Sequence, residues 1–132
     1  MNDSETEIKL SYATLYYDEP IVYCVYKSDV ELGFPEVKEL VASAEKLSSY
    51  RPYVTLTDVR LGINITNEGR KMASDLQNMP LFRGTAVVVK NSLYKFAVNF
   101  ASEFNSSHYP FRAFTSKEKA VKWLLSLPLD KH

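Results

Sequence analysis

The sequence has 132 residues, of which 45% are hydrophobic and 24% charged, as in ordinary soluble globular domains. Its 16 basic and 16 acidic side chains cancel, so no net charge favours nucleic acid or an anionic membrane surface as a partner. No apolar run approaches the roughly 20 residues of a membrane span, and the polar start MNDSETE lacks a secretory signal pattern. We therefore expect one cytoplasmic domain over residues 1–132, without nucleic-acid binding or membrane insertion.

Two strands joined by a tight turn open the chain. Residues 8–17 and 21–27 are rich in β-branched and aromatic side chains, and residues 18–20, DEP, separate them. A turn this short predicts an antiparallel hairpin. Aligning Tyr17 with Pro20 gives two faces that are both apolar or aromatic, which strands tolerate when each face is covered.

Helices and strands then alternate. Residues 35–49 begin with a proline, which suits the first turn of a helix, and repeat apolar side chains at a 3.6-residue period. YVTLTDV, residues 53–59, predicts the third strand. A second amphipathic helix is predicted from about residue 67 to residue 78. The continuous apolar run at residues 85–90, TAVVVK, predicts an interior parallel strand.

The last part of the chain repeats this alternation. A third helix has the clearest apolar period in the sequence. Its predicted buried stripe includes Phe96, Phe100 and Phe104. FRAF, residues 111–114, predicts the last strand, and Thr115 with Glu118 predicts a capping box for the last helix. The element order predicts the α/β class: an antiparallel N-terminal hairpin and βαβαβα crossovers in a mixed, mostly parallel sheet of about five strands with about four helices.

Four stretches carry a resemblance to a known family: YATLYYDEPIVY, VTLTDVR, NEGR and FRAFTSKEKAVKWLL. They resemble the STAS-like family of small bacterial proteins, in particular its branch labelled STAS/SEC14. The resemblance spans nearly the whole chain and implies a SpoIIAA-like fold with a non-enzymatic regulatory or protein-interaction role. In characterised relatives, phosphorylation of an Asp-Ser serine between the third strand and second helix controls partner binding. Here the matching stretch, LGINITNEG, has no Asp-Ser pair, which argues against a phosphoswitch.

The loop after the third strand is the candidate binding site. A strand end that feeds a helix start is where open α/β sheets place ligands and where backbone N–H groups favour anions. Thr66, the nearest hydroxyl, is a candidate helix cap, phosphate acceptor or contact to a partner's acidic group. Asp58 is a candidate to brace the loop by accepting its N–H groups or pairing with Arg60. We predict that an unknown protein partner binds this candidate loop (residues 60–69), with contacts from Asn64, Thr66 and Asn67.

Catalytic and cofactor sites have little support in the sequence. His108 and His132 lie near no nucleophile motif, and one cysteine, Cys24, with two distant histidines offers no metal-ligand spacing. Four glycines are scattered singly, so no phosphate-cradling loop is predicted. We expect no enzyme activity, no cofactor and no metal.

The aromatic content of the chain suggests two further interpretations. If the hairpin face with Tyr12, Tyr16 and Tyr23 is uncovered, it favours a homodimer, which predicts a concentration-dependent mass in sedimentation. The alternative function is that of a binding domain for a small apolar or lipid ligand, which the SEC14 label also suggests. Such a ligand requires a pocket of about 300 Å³ or more.

Overall fold

A computed structural model describes residues 6–95 and 109–129 of the chain. The strands are β1 (Glu7–Lys9), β2 (Ala13–Asp18), β3 (Ile21–Tyr26), β4 (Val30–Leu32), β5 (Tyr53–Asp58), β6 (Ile63–Ile65), β7 (Phe82–Val88) and β8 (Phe111–Phe114). The helices are α1 (Phe34–Leu47), α2 (Asn67–Ser74), α3, of which residues 92–95 are described, and α4 (Lys117–Leu124). A 3-10 turn at Leu76–Asn78 follows α2. The predicted stripe of Phe96, Phe100 and Phe104 lies outside the described residues, as do His108 and His132.

The main sheet has six strands in the order β1-β2-β3-β5-β7-β8. The first three strands are antiparallel, and β3, β5, β7 and β8 are parallel. This confirms the predicted α/β class and the mixed, mostly parallel sheet. The sheet gains a strand because the segment predicted as one strand at residues 8–17 turns at Leu10, whose N–H donates to the carbonyl of Ala13 (2.8 Å).

A second, two-stranded sheet pairs β4 with β6 in parallel. The sequence predicted loops at both segments. Each strand has three residues, which is too short for an alternating pattern to stand out from a loop.

The register of the hairpin differs from the predicted one. Asp18 pairs with Ile21, so the predicted alignment of Tyr17 with Pro20 is wrong. Because the difference is two residues, the same side chains stay on the same faces. Tyr16 comes directly opposite Tyr23, and their rings stack with centroids 4.5 Å apart and planes 6° apart.

Each face of the sheet carries its own core. The first core packs α1 and α2 on one face, and it includes Leu15, Val22, Cys24, Val37, Leu47 and Tyr53. The second core packs α4 on the other face, and it includes Ile21, Val54, Leu56, Val88, Ala120 and Leu124. Right-handed crossovers from β3 to β5 and from β5 to β7 place α1 and α2 on the same face. The helix α4 follows the edge strand β8 and covers the opposite face.

Two helix details differ from the sequence predictions, and a third, the cap of α1, was not predicted. The helix α2 ends at Ser74 rather than at residue 78, because Asp75 has an extended backbone. The cap of α4 is Ser116, whose hydroxyl accepts from the N–H of Lys119 (3.2 Å), and not Thr115. The helix α1 is capped through the Glu36 carboxylate, which accepts from the N–H of Gly33 (2.8 Å).

Across residues 6–95 and 109–129 no helix has the length and apolarity of a membrane span.

Candidate functional site

The candidate loop is anchored at its start by an ion pair. Asp58 ends β5 and is only 9% exposed. The guanidinium of Arg60 donates twice to its carboxylate, with Nε 3.0 Å from Oδ1 and Nη2 2.6 Å from Oδ2. The backbone N–H of Arg60 also donates to Oδ1 (3.2 Å). The structure thus joins two of the predicted site residues, and both braces considered for Asp58 are formed at once.

These contacts set the charge state of Asp58. Burial on its own raises the pKa of this carboxyl, but the hydrogen bonds from the side chain and backbone of Arg60 outweigh burial and hold the pKa below its ordinary value. The pairing also raises the pKa of Arg60. The loop start is therefore charged and paired at neutral pH.

Asp58→Asn is expected to lower the free energy of unfolding by about 1 kcal/mol at pH 7, because Arg60 is half-exposed and solvent weakens the pair. A lowered pKa gives stability that is present above the unfolded value of 3.8 and is lost as pH falls through the folded pKa. The difference in free energy of unfolding between the wild type and Asp58→Asn should therefore disappear in acid, below pH 3.8. Urea unfolding at a series of pH values measures it; a gap that stays constant down to acid contradicts the ion-pair account.

Thr66 anchors the far end of the loop. Its hydroxyl caps α2 by accepting from the N–H of Gly69 (3.0 Å), and its own N–H donates to the carbonyl of Leu32 (2.9 Å). Of the three roles that the sequence left open for Thr66, capping is the one for which the described residues supply a contact. Through these two hydrogen bonds Thr66 caps α2 and ties its start to the end of β4.

The middle of the loop is held by backbone and presented to solvent. The strand β6 within it pairs with β4, with Val30 opposite Ile63. Asn64 and Asn67 are exposed, so they form no cluster with the buried Asp58. Leu61 at the tip of the loop is 62% exposed and was not among the predicted site residues. Its signal in the sequence is an apolar residue between a charged residue, Arg60, and a glycine, Gly62. In the structure Gly62 has a positive φ of 93°, as a turn glycine does.

A large cavity opens beside the loop on the first-core face of the sheet. Its volume is about 1400 Å³, above the ~300 Å³ that a small ligand requires. Loop residues Arg60, Leu61 and Ile63 line it, and so do aromatic side chains. The aromatic lining residues are Tyr26, Tyr53, Phe82, Tyr94, Tyr109 and Phe111.

The floor of the cavity is polar where the sheet is usually apolar. Thr55 donates to the hydroxyl of Thr85 (2.7 Å), and the Thr57 hydroxyl lies 3.1 Å from that of Thr85. Thr55 and Thr57 are half-buried. Their neighbours on the opposite face, Val54 and Leu56, are 0% and 1% exposed. The central strands are thus sealed on one face and reach the cavity on the other.

The tyrosines of the hairpin contact the protein's own helices. Tyr23 is buried and Tyr16 is half-buried, with the ammonium of Lys117 3.0 Å from the Tyr16 hydroxyl. Tyr12 was predicted to lie on the same face as Tyr16 and Tyr23. It does not, because it precedes β2. Its hydroxyl lies 2.8 Å from Oε1 of Glu39 on α1. A homodimer through this hairpin stays a prediction, and a concentration-dependent mass in sedimentation is the test of it.

Cys24 is buried in the first core and is free. Burial raises the pKa of its thiol to about 12 from 9.0. Since the thiolate is the reactive form, we expect a disulfide reagent to label native Cys24 about a thousandfold more slowly at pH 8 than the urea-unfolded chain. Equal rates in the native and unfolded protein would contradict this burial.

In the described ranges no three His, Cys, Asp or Glu side chains converge to hold a metal.

Comparisons with known proteins agree with this architecture. The structure is similar to the crystal structure of an uncharacterised protein from the DUF3478 family with a SpoIIAA-like fold from Shewanella loihica PV-4, with a TM-score of 0.56. The two chains share 18% sequence identity, and the match covers 85% of this chain and 91% of that one. This likeness confirms the SpoIIAA-like fold. No curated protein matches the sequence. The sequence matches the family described as "Domain of unknown function (DUF7793)" over residues 15–127, and the chain belongs to that family.

Proposed function

We propose that this protein is a non-enzymatic regulatory or protein-interaction module that binds a protein partner through the candidate loop. The observation that carries the proposal is the exposure of Leu61, at 62%, on a loop whose two ends are fixed. Asp58 holds the start of the loop through Arg60, and Thr66 holds its end. A surface that is ordered before binding loses less conformational entropy when a partner docks.

The chemistry of the loop suits a small interface. Leu61 supplies an apolar contact, and the exposed Asn64 and Asn67 supply amide groups that both donate and accept hydrogen bonds. Protein interfaces commonly combine an apolar centre with a polar rim. Without an Asp-Ser pair, the partner is recognised by this fixed surface rather than by a phosphorylated serine.

A pair of equally exposed leucines gives a matched test. A photo-crosslinking amino acid replaces Leu61 in one variant and Leu125 in another, since Leu125 is 57% exposed directly after the end of α4, the helix on the opposite face of the sheet. In the host's own cells we expect one partner to be crosslinked from position 61 and not from position 125. With that partner purified, Leu61→Asp should weaken binding at least about tenfold, or about 1.4 kcal/mol. Leu125→Asp should leave binding unchanged.

The proposal fails if the two positions crosslink the same proteins, or if Leu61→Asp binds the purified partner as tightly as the wild type does. Circular dichroism of both variants should show a retained fold, because each substitution replaces an exposed side chain.

The cavity favours a second candidate function, the binding of a small apolar ligand. Its volume of about 1400 Å³ and its aromatic lining support this function. Organic extraction of protein purified gently from its own host, followed by mass spectrometry, should recover a ligand at close to one molecule per chain. An empty extract counts against this function.

A further inference from the structure

We infer that the partner of the candidate loop presents an acidic protein segment, which docks on a cluster of cations at the carboxyl edge of the main sheet. This inference rests on the proposed function and names the chemistry of the partner. Three observations support it: the placement of the cations around the loop, their exposure, and an apolar side chain among them.

The cations follow three neighbouring strands. The strands β5, β7 and β8 are adjacent and parallel, so they end at the same edge of the sheet. From each strand end to the first turn of the next helix run residues 59–70, 89–95 and 115–120. These segments lie entirely in the described ranges, and they hold six cations and two acids, Glu68 and Glu118. We call the six cations the basic edge: Arg60, Arg70, Lys90, Lys95, Lys117 and Lys119.

The excess of positive charge is local. The corresponding segment after β3, residues 27–37, holds one cation and three acids. Residues 96–108, outside the described ranges, contain one charged side chain, Glu103. With Glu103 and Asp58 included, six cations stand against four acids. The positive side of this sheet edge is therefore the side that carries the candidate loop.

The basic edge surrounds the start of the candidate loop. Arg60, Arg70 and Lys90 border the cavity beside the loop. Lys117 approaches from α4, on the other face of the sheet. Burial and the hydrogen bonds from Arg60 dominate the pKa of Asp58, and the charge of Lys117 lowers that pKa further. Lys117 therefore lies close to the ion pair that anchors the loop.

The charges of the basic edge are available to a partner. All six side chains are exposed. Arg60 uses two of its five side-chain N–H donors on Asp58, which holds the guanidinium in place and leaves three donors. The other five cations form no ion pair with another residue in the described ranges.

An apolar side chain stands among these cations. Leu61 directly follows Arg60 and is 62% exposed. A protein segment with Asp or Glu beside an apolar residue complements both the charges and the leucine, and electrostatic complementarity selects among partners. A phosphate backbone would complement the cations but not the leucine. The combination therefore favours an acidic protein segment.

Random dodecapeptides displayed on phage are the probe, and the immobilised full chain selects among them. We expect the selected peptides to contain at least about twice the library's share of Asp and Glu, beside an apolar residue. The peptide that binds most tightly should bind Arg70→Glu with Lys90→Glu at least about tenfold more weakly than the wild type. The control, Lys9→Glu with Lys122→Glu, makes the same change in net charge at exposed side chains outside the basic edge. It should change binding by less than about twofold, because salt screens distant charges.

The outcomes separate the inference from the proposed function. Selected peptides without an enrichment in acids would overturn the acidic partner; if they still lose binding to Leu61→Ser, the proposed function stands. Acidic peptides that bind both double variants equally would overturn the placement at the basic edge. Selection of no peptide would overturn the inference, while crosslinking from position 61 tests the proposed function independently. A single-stranded RNA homopolymer that binds more tightly than the peptides would overturn the inference in favour of nucleic acid.

Discussion

Leu124→Ala is expected to lower the free energy of unfolding by about 2–5 kcal/mol, the range for removing a buried leucine side chain. Leu124 is 0% exposed and packs with Ala120 in the second core. Within the described ranges, α4 is the helix that covers this face of the sheet. Loss of the Leu124 side chain leaves a cavity in the second core, which also contains Val54 and Leu56.

The next residue supplies the control. Leu125 is 57% exposed, so Leu125→Ala should change stability by less than about 0.5 kcal/mol. Urea unfolding followed by circular dichroism measures both variants against the wild type. If the two substitutions cost the same, α4 does not pack on the sheet as described here.

Gly69→Ala is expected to destabilise the protein by about 1–3 kcal/mol, the usual cost of overpacking. In an ordinary helix the same change stabilises by up to about 1 kcal/mol, because glycine is a poor helix former. Here a Cβ atom on Gly69 would come 2.5 Å from the carbonyl oxygen of Leu32 and 3.2 Å from the carbonyl carbon of Gly33. Both are backbone atoms, so α2 has to move away from β4.

The sign of the Gly69 result is the test. Glu68→Ala changes the exposed neighbour in the same helix turn and should stay within about 0.5 kcal/mol of the wild type. Since α2 carries the end of the candidate loop, the Gly69 variant should also lose the crosslink expected from position 61. A stabilised Gly69→Ala protein would show that α2 does not pack closely on β4.

Part of the candidate site was predictable from local sequence. Asp58 and Arg60 are two residues apart at a strand end, a spacing that predicts an ion pair or a backbone contact. Thr66 is a residue type that caps helices, and it lies directly before one. The exposure of Leu61 was not predictable, because it depends on how β6 pairs with β4, a segment about 30 residues earlier in the chain.

The sequence by itself determined the class of the fold and the order of its main helices and strands, although it merged β1 with β2 and predicted loops at β4 and β6. Periods of 2 and 3.6 residues are properties of neighbouring side chains, so the hairpin, its two faces and the alternation of helices and strands could be read directly. Tertiary structure decided the register of the hairpin, the pairing of β4 with β6 and the cavity over Thr55, Thr57 and Thr85. These features depend on contacts between segments that are distant in the chain, and it is the packing of those segments that selects among registers and pairings with equal local preference.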